Sequence, residues 1–187
     1  MTTDLTPNIA AAQRFLNLLD PAGIFTFQTF DDDKVRKDLR HARVFHGTLD
    51  QHAGALVRLQ QQGAGVFIMV NKGDGVTHEG YKTCRTAKNV VKVRALFIDL
   101  DGAPLQPVMD ALKPDIVVES SPGRWHCYWL TNDCPLADFR LRQQQLAAKF
   151  DGDLQVIDLP RVLRLPGFFH QKGERFMTVM RNPGDMT

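Results

Sequence analysis

The stretch Val93–Asp101, VRALFIDLD, constrains this chain more than any other. Ala95, Leu96, Phe97, Ile98 and Leu100 form a short apolar run of strand formers, and Gly102-Ala103-Pro104 stops it. Such a run reads as a buried strand, too short to span a membrane and too apolar for an exposed edge. Its end carries Asp99 and Asp101, two residues apart, so an extended backbone puts both carboxylates on one face. Two anions beside a hydrophobic core repel each other unless a cation binds between them. A divalent metal is one explanation, and a strand end whose aspartates cap the following turn is the other.

With 187 residues, 43% hydrophobic and 24% charged, the chain can bury a core as one domain or as two small lobes. A formal net charge of +2 supplies no global basic field, so any contact with nucleic acid has to be local. Cys84, Cys127 and Cys134 lack paired spacing, which argues against a disulfide framework and fits a reducing cytoplasm. A zinc site would need a fourth ligand such as His78 or His170. The start, MTTDLTPNIAAAQRF, is polar and then amphipathic, with neither a signal peptide nor a membrane-spanning run. The ending MRNPGDMT holds a turn signal and no packed element, as in a fragment cut from a longer protein at a linker.

In chain order, Asn8 caps a helix to about Leu19, and Ile24–Phe30 alternates as a strand. Asp31-Asp32-Asp33 and the mixed charges from Lys34 to Arg43 read as a solvated connection; a basic contact surface from Arg36, Lys37, Arg40 and Arg43 is the alternative. Thr48 or Asp50 starts a second helix that Gly63 closes, and Gly65–Val70 is the next buried strand. Asn71–Val91 is a long polar loop with Lys72, Lys82, Arg85 and Lys88 along it, followed by Lys92 and Arg94. A loop of this length in a compact domain is usually functional, and its charge suits phosphate contact through Lys82, Arg85, Lys88 and Arg94. From residue 93 on, strand, helix, strand, hairpin strand, helix and a final strand at Phe176–Met180 follow one another. That order is ferredoxin-like. The order therefore leads to an α+β expectation, with an antiparallel sheet in 93–187. Three polar clusters fall at strand ends: Asp99 with Asp101, Ser121 through His126, and Asp158 with Arg161 and Arg164. Carboxylates converging with a histidine and arginines suit Mg²⁺ or Mn²⁺ and a triphosphate, and imply nucleotidyl transfer.

VRALFIDLDG, ESSPGRWHCYW and DLPRVLRLPGF, in that order and spacing, resemble the three motifs of the archaeo-eukaryotic primase superfamily, and most of all its RepB-like plasmid and phage branch. The resemblance covers about Asn71–Phe168, and the fold it implies is an RRM-like (ferredoxin-like) catalytic half, 93–187, joined to a smaller α/β half, 1–92. It implies that Asp99, Asp101 and Asp158 bind two catalytic metals, Mg²⁺ or Mn²⁺, and that His126 contacts the incoming nucleotide's phosphates. Ser121, Arg124, Arg161, Arg164 and Lys172 are the further nucleotide contacts it implies. The gap from serine to histidine is longer than the S-x-H of many members, which leaves Ser120 and Ser121 as alternatives. The implied activity is primer synthesis on a single-stranded DNA template from NTP or dNTP, with a helicase or helical domain downstream. Other readings remain. FIDLDG also looks like the nucleophile motif of haloacid-dehalogenase-type phosphatases, with Asp99 attacking phosphate, although Ala103 stands where that motif carries Thr or Val. A rolling-circle nickase wants two histidines where His126-Cys127-Tyr128 offers one. A non-catalytic RRM-like module would stack bases on Trp125, Tyr128 and Trp129; in the competing view Trp125 and Trp129 pack under the helices.

Overall fold

Asn8 begins the first helix as its position predicts. In the computed structural model, which describes residues 5–185, its side chain accepts the Ala11 N–H at 2.9 Å. The polar start at Met1–Asp4 and the last two residues of the C-terminal turn signal lie outside the described residues. Helix α1 (Ile9–Leu19) turns Ala12, Phe15, Leu16 and Leu19 inward, one stripe at helical spacing. Strand β1 (Phe25–Asp31) follows and pairs antiparallel with β2 (Arg43–Gly47). The sequence reading ends its connection at Arg43 and leaves the rest of β2 unassigned, because the charges before it hide its alternation. Helix α2 (Leu49–Gln61) opens with a reciprocal cap: Thr48 Oγ1 accepts from Gln51 N and Gln51 Oε1 accepts from Thr48 N. Beyond it β3 (Ala64–Met69) pairs with β1. The short strands β4 (Lys72–Gly73) and β5 (Val90–Lys92) close the base of the long polar loop.

The second half follows the expected order with β6 (Ala95–Leu100), α3 (Gln106–Ala111), β7 (Ile116–Ser121), β8 (Arg124–Leu130) and α4 (Leu136–Phe150). Next come β9 (Val162–Arg164), β10 (Phe169–His170), β11 (Phe176–Met177) and β12 (Val179–Arg181). The chain is α+β, with antiparallel pairing throughout both four-stranded sheets. One has the order β2-β1-β3-β9 and the other β12-β7-β8-β6. Strand β12 adds beside β7, and β9, the first strand after α4, crosses to the sheet of the N-terminal half. The stretch Phe176–Met180, expected as one strand, is divided at Thr178. The backbone N–H of that residue donates to Phe168 O, and its buried hydroxyl donates to Ser120 O.

One face of the second sheet, through Ala95, Phe97, Val118 and Tyr128, shares a core with α1, α2 and the first sheet. Its other face, through Ile98, Leu100, Val117 and Cys127, packs on α3 and α4, where Trp125 and Trp129 also lie. Trp129 stacks on Phe150 and donates to Leu112 O, so it packs under the helices and is not a free platform for bases. Strand β6 is an edge strand, but its edge is covered: Gln143 of α4 accepts from Phe97 N and donates to Phe97 O, both at 2.9 Å. Among the described residues no helix is long and apolar enough to cross a membrane.

Candidate active site

The register of β6 against β8 sets Asp99 directly opposite His126, with Val118 of β7 beyond it. Alternation puts Asp99 on the same face as Ala95 and Phe97, at the end where the shared core stops and a cleft of about 510 Å³ opens. The Asp99 carboxylate is largely buried, at 27% exposure, and no donor among the described residues hydrogen-bonds it. Desolvation, helped by the nearby charge of Asp153, pushes its pKa up to about 6 against the pull of Arg124, Arg161 and Arg164. His126 Nε2 lies 3.7 Å from Asp99 Oδ1, beyond hydrogen-bond reach. Burial, and then the charge of Arg164, depress His126 to about 3, so its imidazole is neutral at physiological pH. Its Nδ1 is buried without a partner.

Around this pair the cleft gathers most of the polar residues singled out in the sequence. Asp101 lines it and is ion-paired with Arg124, which also lines it. Ser120 and Ser121 both face it, because a register shift between Glu119 and Ser121 breaks the alternation that would have sent one away. Ser120 Oγ donates to Arg124 O, so Ser121 carries the less engaged hydroxyl. Arg164 arrives on β9 from the first sheet, over the Phe67 ring, and Lys172 lines the same wall. Asp158 is not among the cleft-lining residues: its carboxylate accepts from Arg161 Nε at 2.6 Å on the loop before β9. That loop is tied down by Asn71 Nδ2, which donates to Leu159 O, and by Val70 N, which donates to Arg161 O.

Several residues in and behind the cleft wall escape a reading of the sequence. Asp32, expected in a solvated connection, is 1% exposed and takes both arms of Arg164, at 2.8 and 3.0 Å, as well as the Gln171 N–H at 2.9 Å. The fit is so close that a Cβ on Gly65 would lie 2.6 Å from Asp32 Oδ1. His170 also lines the cleft, with its Nδ1 buried and unpartnered and its pKa lowered to about 4, chiefly by desolvation. Lys34 joins from the far side. Only the run of aspartates hinted at Asp32, and nothing in the sequence marked which of the three turns inward.

The donors available for a cation are hard carboxylate oxygens, the type that suits Mg²⁺ or Mn²⁺. Asp99 fits best, being desolvated and without a hydrogen bond. Asp101 and Asp158 are each turned onto an arginine, and among the described residues no three His, Cys, Asp or Glu side chains converge as a metal site.

The residues expected to meet nucleic acid divide. Lys82 and Lys88 are exposed, Lys88 over the Tyr81 ring. Arg94, by contrast, is buried: it pairs with Asp20 at 2.7 Å, donates to Ile24 O and lies over Phe25, so it holds the fold together and offers nothing to a partner. Arg85 is half-buried and turned inward, donating to Gln28 Oε1 and Pro160 O. The loop that carries these residues is stapled by buried Asn89, which bonds Asp74, Val76 and Thr86.

Comparison with known proteins gives the family and the fold. The profile of the RepB DNA-primase N-terminal domain family matches residues 51–184. A replication protein of Clostridium perfringens is 29% identical over 120 residues, covering 54% of this chain and 29% of that protein. The chain thus spans less than a third of that relative's length. Among solved structures, the AEP domain of the cyanophage S-2L primase-polymerase superposes with a TM-score of 0.73 at 19% identity, covering 97% of each chain. The catalytic domain of primase RepB', in complex with initiator DNA, superposes with a TM-score of 0.62 at 20% identity, covering 96% of this chain and 85% of that one.

Proposed function

Because the chain belongs to the RepB DNA-primase N-terminal domain family, we propose that its cleft joins nucleotides on a single-stranded DNA template, as a primase or primase-polymerase of plasmid or phage replication. The observation that carries this reading is Asp99: a desolvated carboxylate without a hydrogen bond, facing a neutral imidazole in a cleft that also gathers Arg124, Arg164 and Lys172.

In this reading Asp99 and Asp101 hold the divalent cations, Mg²⁺ or Mn²⁺, joined by Asp158 once it leaves Arg161. Such ions would lower the pKa of the attacking hydroxyl and neutralise the departing pyrophosphate. The chain's own side chains do the positioning. Arg124, released from Asp101, and Arg164, braced by Asp32, contact the triphosphate with Arg161 and Lys172. Neutral His126 hydrogen-bonds a phosphate oxygen through an N–H, and Ser121 adds a hydroxyl donor. Exposed Lys82 and Lys88 contact the DNA backbone. RepB' was solved with initiator DNA, which supports DNA as the template. A helicase or helical domain would lie downstream in a longer protein.

The test is primer synthesis on single-stranded DNA with labelled NTP or dNTP and Mg²⁺ or Mn²⁺, comparing wild type with Asp99→Ala/Asp101→Ala. Short products from wild type and none from the double variant are expected. Equal synthesis by both would remove the carboxylate pair from the chemistry. Release of phosphate from a monoester without primer synthesis would show a phosphatase instead.

A further inference from the structure

A second hollow, of about 380 Å³, adjoins the cleft. One side is the loop after β1, with Lys34 and Val35; the other is the turn after β10, with Gln171, Lys172 and Gly173. Lys34 and Lys172 line both this hollow and the cleft, so a lysine from each loop stands where the two spaces join. The loop after β1 is built rigidly. Asp33 accepts the N–H groups of Val35 and Arg36, Asp31 accepts Arg36 Nε and the Asp38 N–H at 2.7 Å, and Lys37 takes a left-handed backbone at φ 45°. This scaffold holds Val35 out at 93% exposure, where a mobile loop could have folded it away.

Charge decides what the hollow suits. The carboxylates of the loop are all engaged: Asp31 with Arg36, Asp32 with Arg164, Asp33 with backbone N–H groups, Asp38 with Arg40. Lys34 has no ion pair among the described residues. The passage therefore offers a lysine from each of two loops at its mouth, and an apolar side chain beside them.

The geometry points to this passage, between Lys34 and Lys172 and over Val35, as the path by which single-stranded DNA runs between the cleft and solvent. The inference rests on the nucleotidyl-transfer reading and specifies where its template lies. Lys34 contacts a DNA phosphate on the solvent side of Lys172, which holds the triphosphate on the cleft side, and Val35 packs against a sugar or base face. Arg94 and Arg85, which the sequence offered for DNA contact, are turned inward, which leaves this path as the cationic route that opens directly into the cleft.

The experiment measures anisotropy of a fluorescein-labelled oligo-dT, without nucleotide, for wild type and Lys34→Glu/Val35→Asp, together with binding of a fluorescent dATP analogue and Mg²⁺. Both positions are exposed, so the variant is expected to fold; its circular dichroism is compared with that of wild type. Its affinity for the oligonucleotide is expected to fall about tenfold while its affinity for the dATP analogue is unchanged. Lys34→Ala alone is expected to lower the slope of log affinity against log salt by about 0.7, one single-strand phosphate contact. Undiminished DNA binding by the double variant would overturn the path and leave the nucleotidyl-transfer reading standing. Loss of nucleotide binding would overturn it as well, by making the hollow part of the triphosphate site. If wild type itself fails to bind the oligonucleotide, both the path and a DNA template fall.

Discussion

At the scale of single residues, the cleft places two opposing titrations side by side. Asp99 is held at about 6 in the folded protein against an ordinary 3.8, so as pH rises through that window the unfolded chain gives up its proton first and stability falls. His126 is held at about 3 against 6.5, so stability is lost as pH falls below 6.5 and the unfolded chain takes up a proton that the folded one refuses. Between about pH 4 and 6 the two slopes offset each other. Asp99→Asn is therefore expected to be more stable than wild type at pH 7.5, by on the order of 1–3 kcal/mol. The gain should shrink towards pH 4, and urea denaturation at pH 4.5, 6 and 7.5 measures it. A variant no more stable than wild type at pH 7.5 would mean that the Asp99 carboxylate is better solvated than its position implies. The sequence showed the pair Asp99 and Asp101 plainly, since period-two spacing is local; that Asp99 alone would be desolvated depended on the strand opposite.

At the scale of elements, the arrangement turns on polar side chains that mend exposed backbone. Strand β6 ends its sheet, and Gln143 completes it by bonding the N–H and C=O of Phe97 and the C=O of Val156, two residues from Asp99 along the strand. Gln143→Leu leaves these groups buried without partners. It is expected to cost about 3 kcal/mol in a urea melt and to raise hydrogen exchange at the Phe97 amide. The next two glutamines of α4, Gln144 and Gln145, are exposed on its polar face. Gln143 departs from that because the helix lies against a strand edge, where an amide is worth more than an apolar residue. Helix positions and caps, such as Asn8 and the Thr48–Gln51 pair, were legible because their hydrogen bonds span only three residues.

At the scale of the whole molecule, the C-terminal half lends a strand to the first sheet, and the two sheets share a core. Strand β9 brings Val162–Arg164 from the C-terminal half to the edge of the N-terminal sheet, and Phe15 of α1 packs edge-on against Tyr128 of β8. Residues 5–92 and 93–185 expressed as separate pieces are thus expected to be disordered by circular dichroism, each lacking part of the common core. A folded, cooperatively melting 93–185 would show that the second sheet needs no partner. The sequence by itself determined the order of most elements, the face shared by Asp99 and Asp101, the hairpin that carries His126, and the resemblance to a family of primases. These follow from periodicity, turn chemistry and short motifs, which act over a few residues. Only the tertiary structure decided that β9 would cross between sheets, that Asp32 would turn inward to brace Arg164 while Arg94 is buried on Asp20, and that Lys34 and Lys172 would meet at one mouth. Those outcomes depend on which charges find partners across more than 70 residues of chain, as the pairs Arg94–Asp20 and Arg164–Asp32 do, and no local pattern encodes such a pairing.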